Sequence, residues 1–382
     1  MIVPTVRICL SFAVIASLTA QAAFSQIQLA RATPARNRQP AFPAAPAGSI
    51  SAGFAREQQP APDSFETLPP ATMVRQGPFV DDSEPLWRPV VNRVYGGAEY
   101  LLLRMHFSEA IAFVTVTDSL QNGLPHEQAQ ARELNFGYNS AFRTYLGYHL
   151  SPGADLQFTY FHFGTSVAAN GTSSSPAQFN IDAFGDRANF GQSIQTRANV
   201  QLNAFDFDFI KPMIVNRGCV GLRAAAGVRV ADVRQSYGSS TYDALGNVMG
   251  VGTFATHFIG AGPHFGLQAQ ARPRPNSPFS LLARGAGSLL VGGYDVASGA
   301  DFTGLGGAGQ AASRTLTVPV IEAELGAAWQ PTPSFTLSAG WLFQAWWDLG
   351  VSGGTTGGKF VQVDDSSIMA FDGLFTRAMF RY

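Results

Sequence analysis

The last twelve residues, FDGLFTRAMFRY (371–382), alternate in character from one position to the next. One phase holds Leu374, Thr376, Ala378, Phe380 and Tyr382, and the other holds Phe375, Arg377, Met379 and Arg381. A period of two predicts a β-strand whose two faces meet different environments. An exposed apolar strand at a sheet edge promotes aggregation, whereas a closed barrel pairs the last strand with the first. The segment therefore predicts a closed barrel.

The composition suits a protein wall that faces lipid but does not require one. Only 13% of the 382 residues are charged, about half the usual share, while Gly (40) and Phe (30) are plentiful. The formal net charge of −1 gives no reason to expect a nucleic-acid partner. A large soluble β-sandwich could have the same composition, so other features must decide.

The N-terminus has the layout of a secretory signal peptide, which we assign to residues 1–25. Arg7 precedes the apolar run ICLSFAVIASLTA (8–20), and small residues follow it. This run is too short to span a bilayer as a helix, which takes about 20 residues. The alternative is a buried N-terminal helix. No later stretch reaches roughly 18 uninterrupted apolar residues, which argues against a helical membrane protein.

Residues 26–88 differ from the rest of the chain. Segments such as ATPARNRQPAFPAAPAGS (32–49) are rich in Pro and Ala and have no hydrophobic period. Such a segment cannot bury enough apolar area to offset the entropy lost on ordering. We interpret it as a disordered tether, either a plain spacer or a cell-wall contact, that precedes a barrel over 89–382.

The barrel region alternates in the manner of membrane strands. In DLQFTYFHF (155–163), Leu156, Phe158 and Tyr160 share one face and polar residues share the other. Across the predicted strands, arginines and carboxylates avoid the apolar face, except Asp372 near a loop end. A charge at mid-bilayer on the lipid face costs about 2–4 kcal/mol, so lipid contact would produce this avoidance. A soluble barrel with a dry core would also alternate.

The lengths of the connections between strands distinguish a membrane barrel from a soluble barrel, because short and long connections alternate along the chain. Short turns follow Leu150, Ile210, Ala271 and Trp329, whereas the long connections cover 106–132, 165–196, 233–252, 295–312 and 350–367. Outer-membrane barrels have short periplasmic turns and longer extracellular loops. The sequence thus predicts an all-β, antiparallel, up-and-down transmembrane barrel of about ten strands, within a range of roughly 8–12.

Two segments make this strand pattern less simple. IAFVTVT (111–117) reads as a strand inside a predicted loop and would change the strand count. In RANVQLNAFDFDF (197–209), Val200 and Leu202 lie in the opposite phase to Phe205 and Phe207. A β-bulge near 203–204 would reconcile the two halves.

Ten charged residues fall on the predicted inner face and form the polar group to which we assign a role. They are Arg143, Asp155, Arg223, Arg229, Arg284, Glu322, Glu324, Asp348, Arg377 and Arg381. Rings of charge could filter ions by sign, or the charges could pair across a narrow interior and plug it. Side chains just fill a barrel of about eight strands, whereas about 16–18 strands leave an aqueous channel. Ten strands therefore favour a constricted lumen.

Other chemistry is not indicated. GGTTGGK (353–359) lacks the Ser or Thr of a phosphate-binding loop, since Phe360 follows it, and no strand–helix frame surrounds it. No pair of histidines has metal-ligand spacing. We expect no catalytic, cofactor or metal site. An enzyme with a site on the extracellular rim is an alternative with little support, because no activated nucleophile is recognisable.

Several strand and turn segments are similar to a known family. They are YGGAEYLLLR (95–104), RTYLGYHL (143–150), GVRVADVRQSY (227–237), GAGPHFGLQ (260–268), PVIEAELGAAWQP (319–331), AGWLFQAWWDLG (339–350) and DDSSIMAFDGLFTRA (364–378). They resemble the Legionella-type pore-forming outer-membrane proteins, in particular members from planctomycete-like bacteria. The resemblance covers about 95–382 and implies a pore-forming outer-membrane β-barrel. It carries no functional residues, because the shared segments are strands and turns.

The expected function is a passive pore for small solutes or ions in the cell outer membrane. The alternative is a structural or anchoring envelope barrel with a plugged lumen. The expected partners are outer-membrane lipid, the barrel-assembly machinery through the C-terminal strand, and small solutes or ions. We expect no nucleic acid and no cofactor.

Overall fold

A computed structural model describes residues 94–107, 110–121, 124–151, 153–216, 220–274, 277–302, 308–349 and 368–382. The predicted signal peptide and tether lie outside the described residues. No helix in the described part of the chain is long and apolar enough to cross a membrane.

The described chain is built from β-strands. They are β1 (Val94–Phe107), β2 (Ile111–Gln121), β3 (Leu124–Glu133), β4 (Tyr138–Ser151), β5 (Ala154–Thr172), β6 (Gln178–Asp182), β7 (Arg187–Ala188), β8 (Ser193–Asn216), β9 (Val220–Tyr242), β10 (Val248–Ala271), β11 (Phe279–Phe302), β12 (Ala308–Thr332), β13 (Phe335–Trp347) and β14 (Ile368–Arg381). The predicted all-β class is confirmed.

Ten of these strands close into an antiparallel barrel in the order β1, β14, β13, β12, β11, β10, β9, β8, β5, β4. The last strand pairs with the first, with Leu374 opposite Leu102 and Thr376 opposite Tyr100. The alternating C-terminal segment is therefore the closing strand. The prediction of a ten-stranded barrel is confirmed.

The IAFVTVT segment does form a strand, but that strand stays out of the barrel wall. It is β2, which joins β3, β6 and β7 in a separate four-stranded sheet, here called the cap sheet. The cap sheet sits against the inner wall of the outer barrel end. Ala112 O accepts hydrogen bonds from Thr196 Oγ1 at 3.1 Å and from the Tyr237 hydroxyl at 2.8 Å. The barrel count is unchanged because this strand pairs elsewhere.

Several predicted long loops prove to be strand. β9 and β10 run through most of 233–252 and are joined by a tight turn in which Gly246 has a φ of 85°. β11 and β12 likewise take up most of 295–312. Polar outward residues in these stretches resemble loop sequence, yet their backbones pair in long ladders. The predicted loop at 350–367 lies outside the described residues.

The two halves of the barrel have opposite polarity. Toward the end that carries the short turns, the outward side chains are apolar and exposed, such as Phe207 and Val228, whereas charged side chains face inward. Beyond this level Asn203 and Asp232 face outward, opposite each other, while Leu202 and Val233 are buried inside. The outer half is therefore organised like a soluble barrel with an apolar interior.

This change of polarity also corrects the expected β-bulge near 203–204. The β5–β8 and β8–β9 ladders run without a register shift through Asn203 and Ala204. Val200 and Leu202 keep the inward phase of Asp206, because the lumen itself becomes apolar there. The environment changes along the strand, whereas the side-chain phase does not.

The strands are longer than a bilayer requires, so a bilayer covers only part of the barrel. We call the half that carries the short turns the lower half and the other the upper half. β8 and β10 each have 24 residues, whereas a tilted strand crosses a bilayer in about 9–11. The apolar outward belt occupies the half that carries the short turns. We therefore take the lower halves as the membrane-crossing part and the upper halves as an extension beyond the bilayer.

Candidate functional site

Eight charged side chains in the lower lumen form a continuous set of ion pairs, here called the lumen network. Its cations are Arg143, Arg229, Arg284 and Arg377, and its anions are Glu99, Asp206, Glu322 and Glu324. Arg143 also lies 3.9 Å from Glu322, which joins the pairs of Arg229 to the rest. Four guanidinium groups thus face four carboxylates, and the formal charges balance. All eight lie on inward positions of their strands.

Arg143 lies at the centre of the lumen network. Its guanidinium lies 2.5 Å from Glu324 and 3.4 Å from Glu99. Arg143 is on β4 and Glu324 is on β12, four strands away around the ring of ten. Their contact therefore crosses the lumen. A barrel of this strand number is narrow enough for side chains to meet in this way.

The remaining pairs extend this bridge to the other walls. Arg377 lies 2.5 Å from Glu99 and 2.7 Å from Glu324. Arg229 on β9 grips Asp206 through two bonds, of 2.6 and 2.7 Å, and also reaches Glu322 at 2.5 Å. Two-point guanidinium–carboxylate contacts fix geometry as well as charge.

These ion pairs are important for stability because they are buried. The side chains of Arg143, Glu322 and Glu324 are only 5%, 3% and 1% exposed. Removing one partner from a buried pair leaves an uncompensated charge and typically costs about 3–5 kcal/mol. The lumen network therefore holds the barrel walls at a fixed spacing.

Above the lumen network the interior becomes apolar. The rings of Phe163 on β5 and Phe371 on β14 meet edge to face with centroids 4.9 Å apart. Trp346 and Leu342 on β13 are fully buried in the same cluster. Gln235 on β9 donates to the carbonyl of Leu349, just beyond β13, at 2.5 Å. Side chains from different walls therefore meet at a second level, here called the apolar level.

A buried Asp–His pair adjoins the lumen network. His264 Nδ1 lies 2.8 Å from Asp208 Oδ1, although the two residues are on β10 and β8. Gly227 on β9 stands between them in register, and a Cβ there would come within 2.4 Å of Asp208 Oδ1. The glycine therefore leaves the space in which these side chains meet.

Ligand atoms of Asp206, Asp208 and His264 lie within 4.8 Å of one another, which by distance alone would suit a metal ion. However, Arg229 already engages both carboxylate oxygens of Asp206. A cation placed there would lie beside that guanidinium. We therefore interpret the three side chains as part of the lumen's ion pairing.

Below the lumen network the interior is polar and less tightly filled. Asp155 lies 2.5 Å from His149 Nδ1 and 3.2 Å from Arg223. A cavity of about 80 Å³ lies near Gln157 and Asp208, and a second of about 40 Å³ lies closer to the periplasmic rim. The periplasmic half is thus a polar vestibule beneath a closed level.

The sequence-predicted charges fall mainly on the inner wall. Arg143, Asp155, Arg223, Arg229, Arg284, Glu322, Glu324 and Arg377 face the lumen, and Arg381 lines the cavity at its rim. Asp348 lies just past the end of β13 with a φ of 61° and takes no place in the lumen network.

Sequence reasoning missed Glu99, Asp206, Asp208, His264 and Gln344, all of which are buried in the lumen. Glu99 shares its phase with Leu101 and Leu103, so its face looked apolar. Asp206 was obscured by the expected bulge. A strict period of two carried through the whole strand would have placed both on the inner wall.

A family model, described as the Legionella pneumophila major outer membrane protein precursor, matches residues 92–381. The match includes every strand of the barrel. The chain belongs to this family. The resemblance predicted from the strand and turn segments is thus confirmed, and family membership together with the barrel indicates an outer-membrane location. Among curated proteins, none matches the chain.

Solved structures with some likeness are only distantly similar in sequence. Ail, the attachment invasion locus protein of Yersinia pestis, is 11% identical over 76% of this chain and 99% of its own, with a TM-score of 0.20. The toluene transporter TodX of P. putida is 10% identical over 77% and 91%, with a TM-score of 0.22. A FadL homologue of Pseudomonas aeruginosa is 9% identical over 76% and 90%, with a TM-score of 0.24. At TM-scores this low, the likenesses carry no argument about what this chain binds or transports.

Proposed function

We propose that this member of the Legionella major outer membrane protein family is a structural or anchoring barrel whose lumen its own side chains close. The contact of Arg143 with Glu324 across the lumen, at 2.5 Å, carries the proposal. An ion entering from the periplasm would have to displace paired charges and then enter the apolar level. Both steps are costly in a low-dielectric interior.

A passive pore for small solutes or ions is the second candidate. The polar vestibule favours it, because a cavity of about 80 Å³ lies against the lumen network and a second of about 40 Å³ lies below it. The resemblance to pore-forming proteins points the same way. In this version the lumen network and the apolar level act as a gate that opens transiently.

The proposal is non-enzymatic. In the described lumen the carboxylates of Glu99, Glu322 and Glu324 are held by guanidinium groups, which leaves them poorly suited to act as bases. Outer-membrane lipid is the proposed partner of the apolar outward belt. The barrel-assembly machinery is the proposed partner of β14 before it pairs with β1.

Liposome swelling tests the proposal. The protein is refolded into vesicles loaded with an impermeant polymer and exposed to an isotonic small sugar. We expect wild type to leave the vesicles unswollen. A variant that removes both barriers, Glu322→Ala/Glu324→Ala combined with Phe163→Ala/Phe371→Ala, should admit the sugar. Arg234→Gln, on the exposed outer surface, is the matched control and should behave as wild type. Rapid swelling with wild type would instead support the open pore.

A further inference from the structure

The charged residues that line the cavity at the periplasmic rim are all positive. Its volume is about 40 Å³, and four arginines line it, namely Arg223, Arg272, Arg377 and Arg381. The other polar side chains around it are three glutamines, a threonine and a serine, and no carboxylate among the described residues lines it. We call these four residues the arginine vestibule.

The four arginines converge because of where they lie on their strands. Arg272 follows the last residue of β10, Arg381 is the last residue of β14, and Arg223 is close to the start of β9. These strand ends meet at the periplasmic rim. Arg377 lies four residues deeper than Arg381 on β14 and links the vestibule to the lumen network.

Two of the four arginines form ion pairs with carboxylates at other levels of the lumen. Arg223 contacts Asp155, and Arg377 contacts Glu99 and Glu324, yet those carboxylates lie outside the cavity lining. Arg272 donates to the neutral amide oxygen of Gln330 at 3.1 Å. The cavity itself is thus surrounded by hydrogen-bond donors and positive charge.

We propose that the arginine vestibule binds a small oxyanion, the sulfate or phosphate class, from the periplasmic side. Guanidinium groups recognise such anions through paired, charge-assisted hydrogen bonds. A water needs about 10–15 Å³ of such space, so the cavity holds about three waters or one small oxyanion. Binding there does not require an open lumen, because the cavity lies on the periplasmic side of the lumen network.

Calorimetric titration of the refolded protein in detergent tests this site. Sodium sulfate and sodium phosphate are titrated separately in a sodium chloride buffer that keeps the ionic strength constant. We expect saturable, one-site binding in wild type and at least tenfold weaker binding in Arg272→Gln. Arg234→Gln, whose side chain is 59% exposed on the outer surface, should bind as wild type.

A conservative variant separates binding from folding. Arg272→Lys keeps the charge but loses the planar fork, so we expect it to fold and to bind measurably more weakly than wild type. Folding of each variant is checked by resistance to protease. Absence of saturable binding in wild type would overturn the proposal. So would equal losses of affinity in Arg272→Gln and Arg234→Gln, since these would indicate a general charge effect.

Discussion

At the scale of single residues, Glu324 joins more of the lumen network than any other carboxylate described. It accepts from Arg143 at 2.5 Å, Arg284 at 3.1 Å and Arg377 at 2.7 Å. These arginines come from three different strands, so one carboxylate ties together β4, β11 and β14. Removing the charge of Glu324 should therefore destabilise the packing of all three strands.

Glu324→Gln should destabilise the folded barrel by about 3–5 kcal/mol, because it leaves buried guanidinium groups without their counter-charge. Reversible urea unfolding from lipid vesicles measures this. Asp232→Asn, on the outer surface, is the control and should cost about 1 kcal/mol or less. A loss below about 1 kcal/mol for Glu324→Gln would show that the lumen network does not support the walls.

Gly227 supplies a second test at this scale. A Cβ there would lie 2.0 Å from the carbonyl oxygen of Phe207 and would crowd Asp208. Gly227→Ala should therefore cost about 1–3 kcal/mol through overpacking. Gly285→Ala is the control, since nothing lies within 4 Å of its added methyl group, and it should be close to neutral. Equal unfolding midpoints for the two variants would contradict the packing described.

At the scale of elements, the cap sheet occupies the extracellular mouth. Its Asp182 is buried, and Asp182 Oδ1 accepts from the backbone N–H groups of Phe184 and Asp186 at 2.9 and 2.8 Å. Burial raises the pKa of Asp182 above its usual value, in spite of these hydrogen bonds. The neutral acid is therefore favoured in the folded cap more than in an unfolded one.

The sign of this linkage gives a pH prediction. A raised folded pKa makes the cap sheet most stable below the ordinary carboxyl pKa of about 3.9. That stability is lost as the pH rises through the raised folded value. Hydrogen exchange of β6, corrected for intrinsic rates, should show protection falling as pH rises in wild type. Asp182→Asn should remove this dependence, and an unchanged dependence would assign it to another group.

Strand phase was predictable for the membrane half because lipid and lumen impose opposite polarity on alternate residues. The sequence placed Arg143, Arg229 and Glu322 on the inner face for this reason. The upper half was harder, since there the polarity is reversed. Asn203 suggested a bulge for this reason, and residues 233–252 resembled a loop. A period of two reports which residues share a face, but it does not report which medium that face meets.

The cap sheet could not be assigned for a different reason. IAFVTVT has the composition of a strand in either sheet. Its place is decided by its hairpin with residues 124–133 and by long-range pairing with residues 178–182. The ion-pair partners were equally out of reach. Arg143 and Glu324 are 181 residues apart in the chain and meet only because the barrel closes.

At the scale of the whole molecule, the barrel combines two kinds of wall. The lower half exposes apolar side chains and buries charge, and the upper half does the reverse. The bilayer should therefore cover only the lower half. The position of this boundary on β9 lies between Val230 and Asp232.

A pair of small outward residues on β9 tests the boundary. Ala226 lies in the apolar belt and Ser236 lies above it, and both are exposed. Ala226→Arg should cost about 2–4 kcal/mol in lipid vesicles, whereas Ser236→Arg should cost about 0–1 kcal/mol. Equal costs, measured by urea unfolding in the same vesicles, would contradict the proposed bilayer position.

The closed lumen is the central claim, and single-channel recording in a planar bilayer tests it most directly. The folded protein should insert without conductance steps, because the lumen network and the apolar level bridge the walls. The variant that removes both barriers, Glu322→Ala/Glu324→Ala/Phe163→Ala/Phe371→Ala, is the positive control, and conductance steps from it show that insertion and detection work. Reproducible steps from wild type at low voltage, with a unit size that repeats between insertions, would contradict the account and establish a pore.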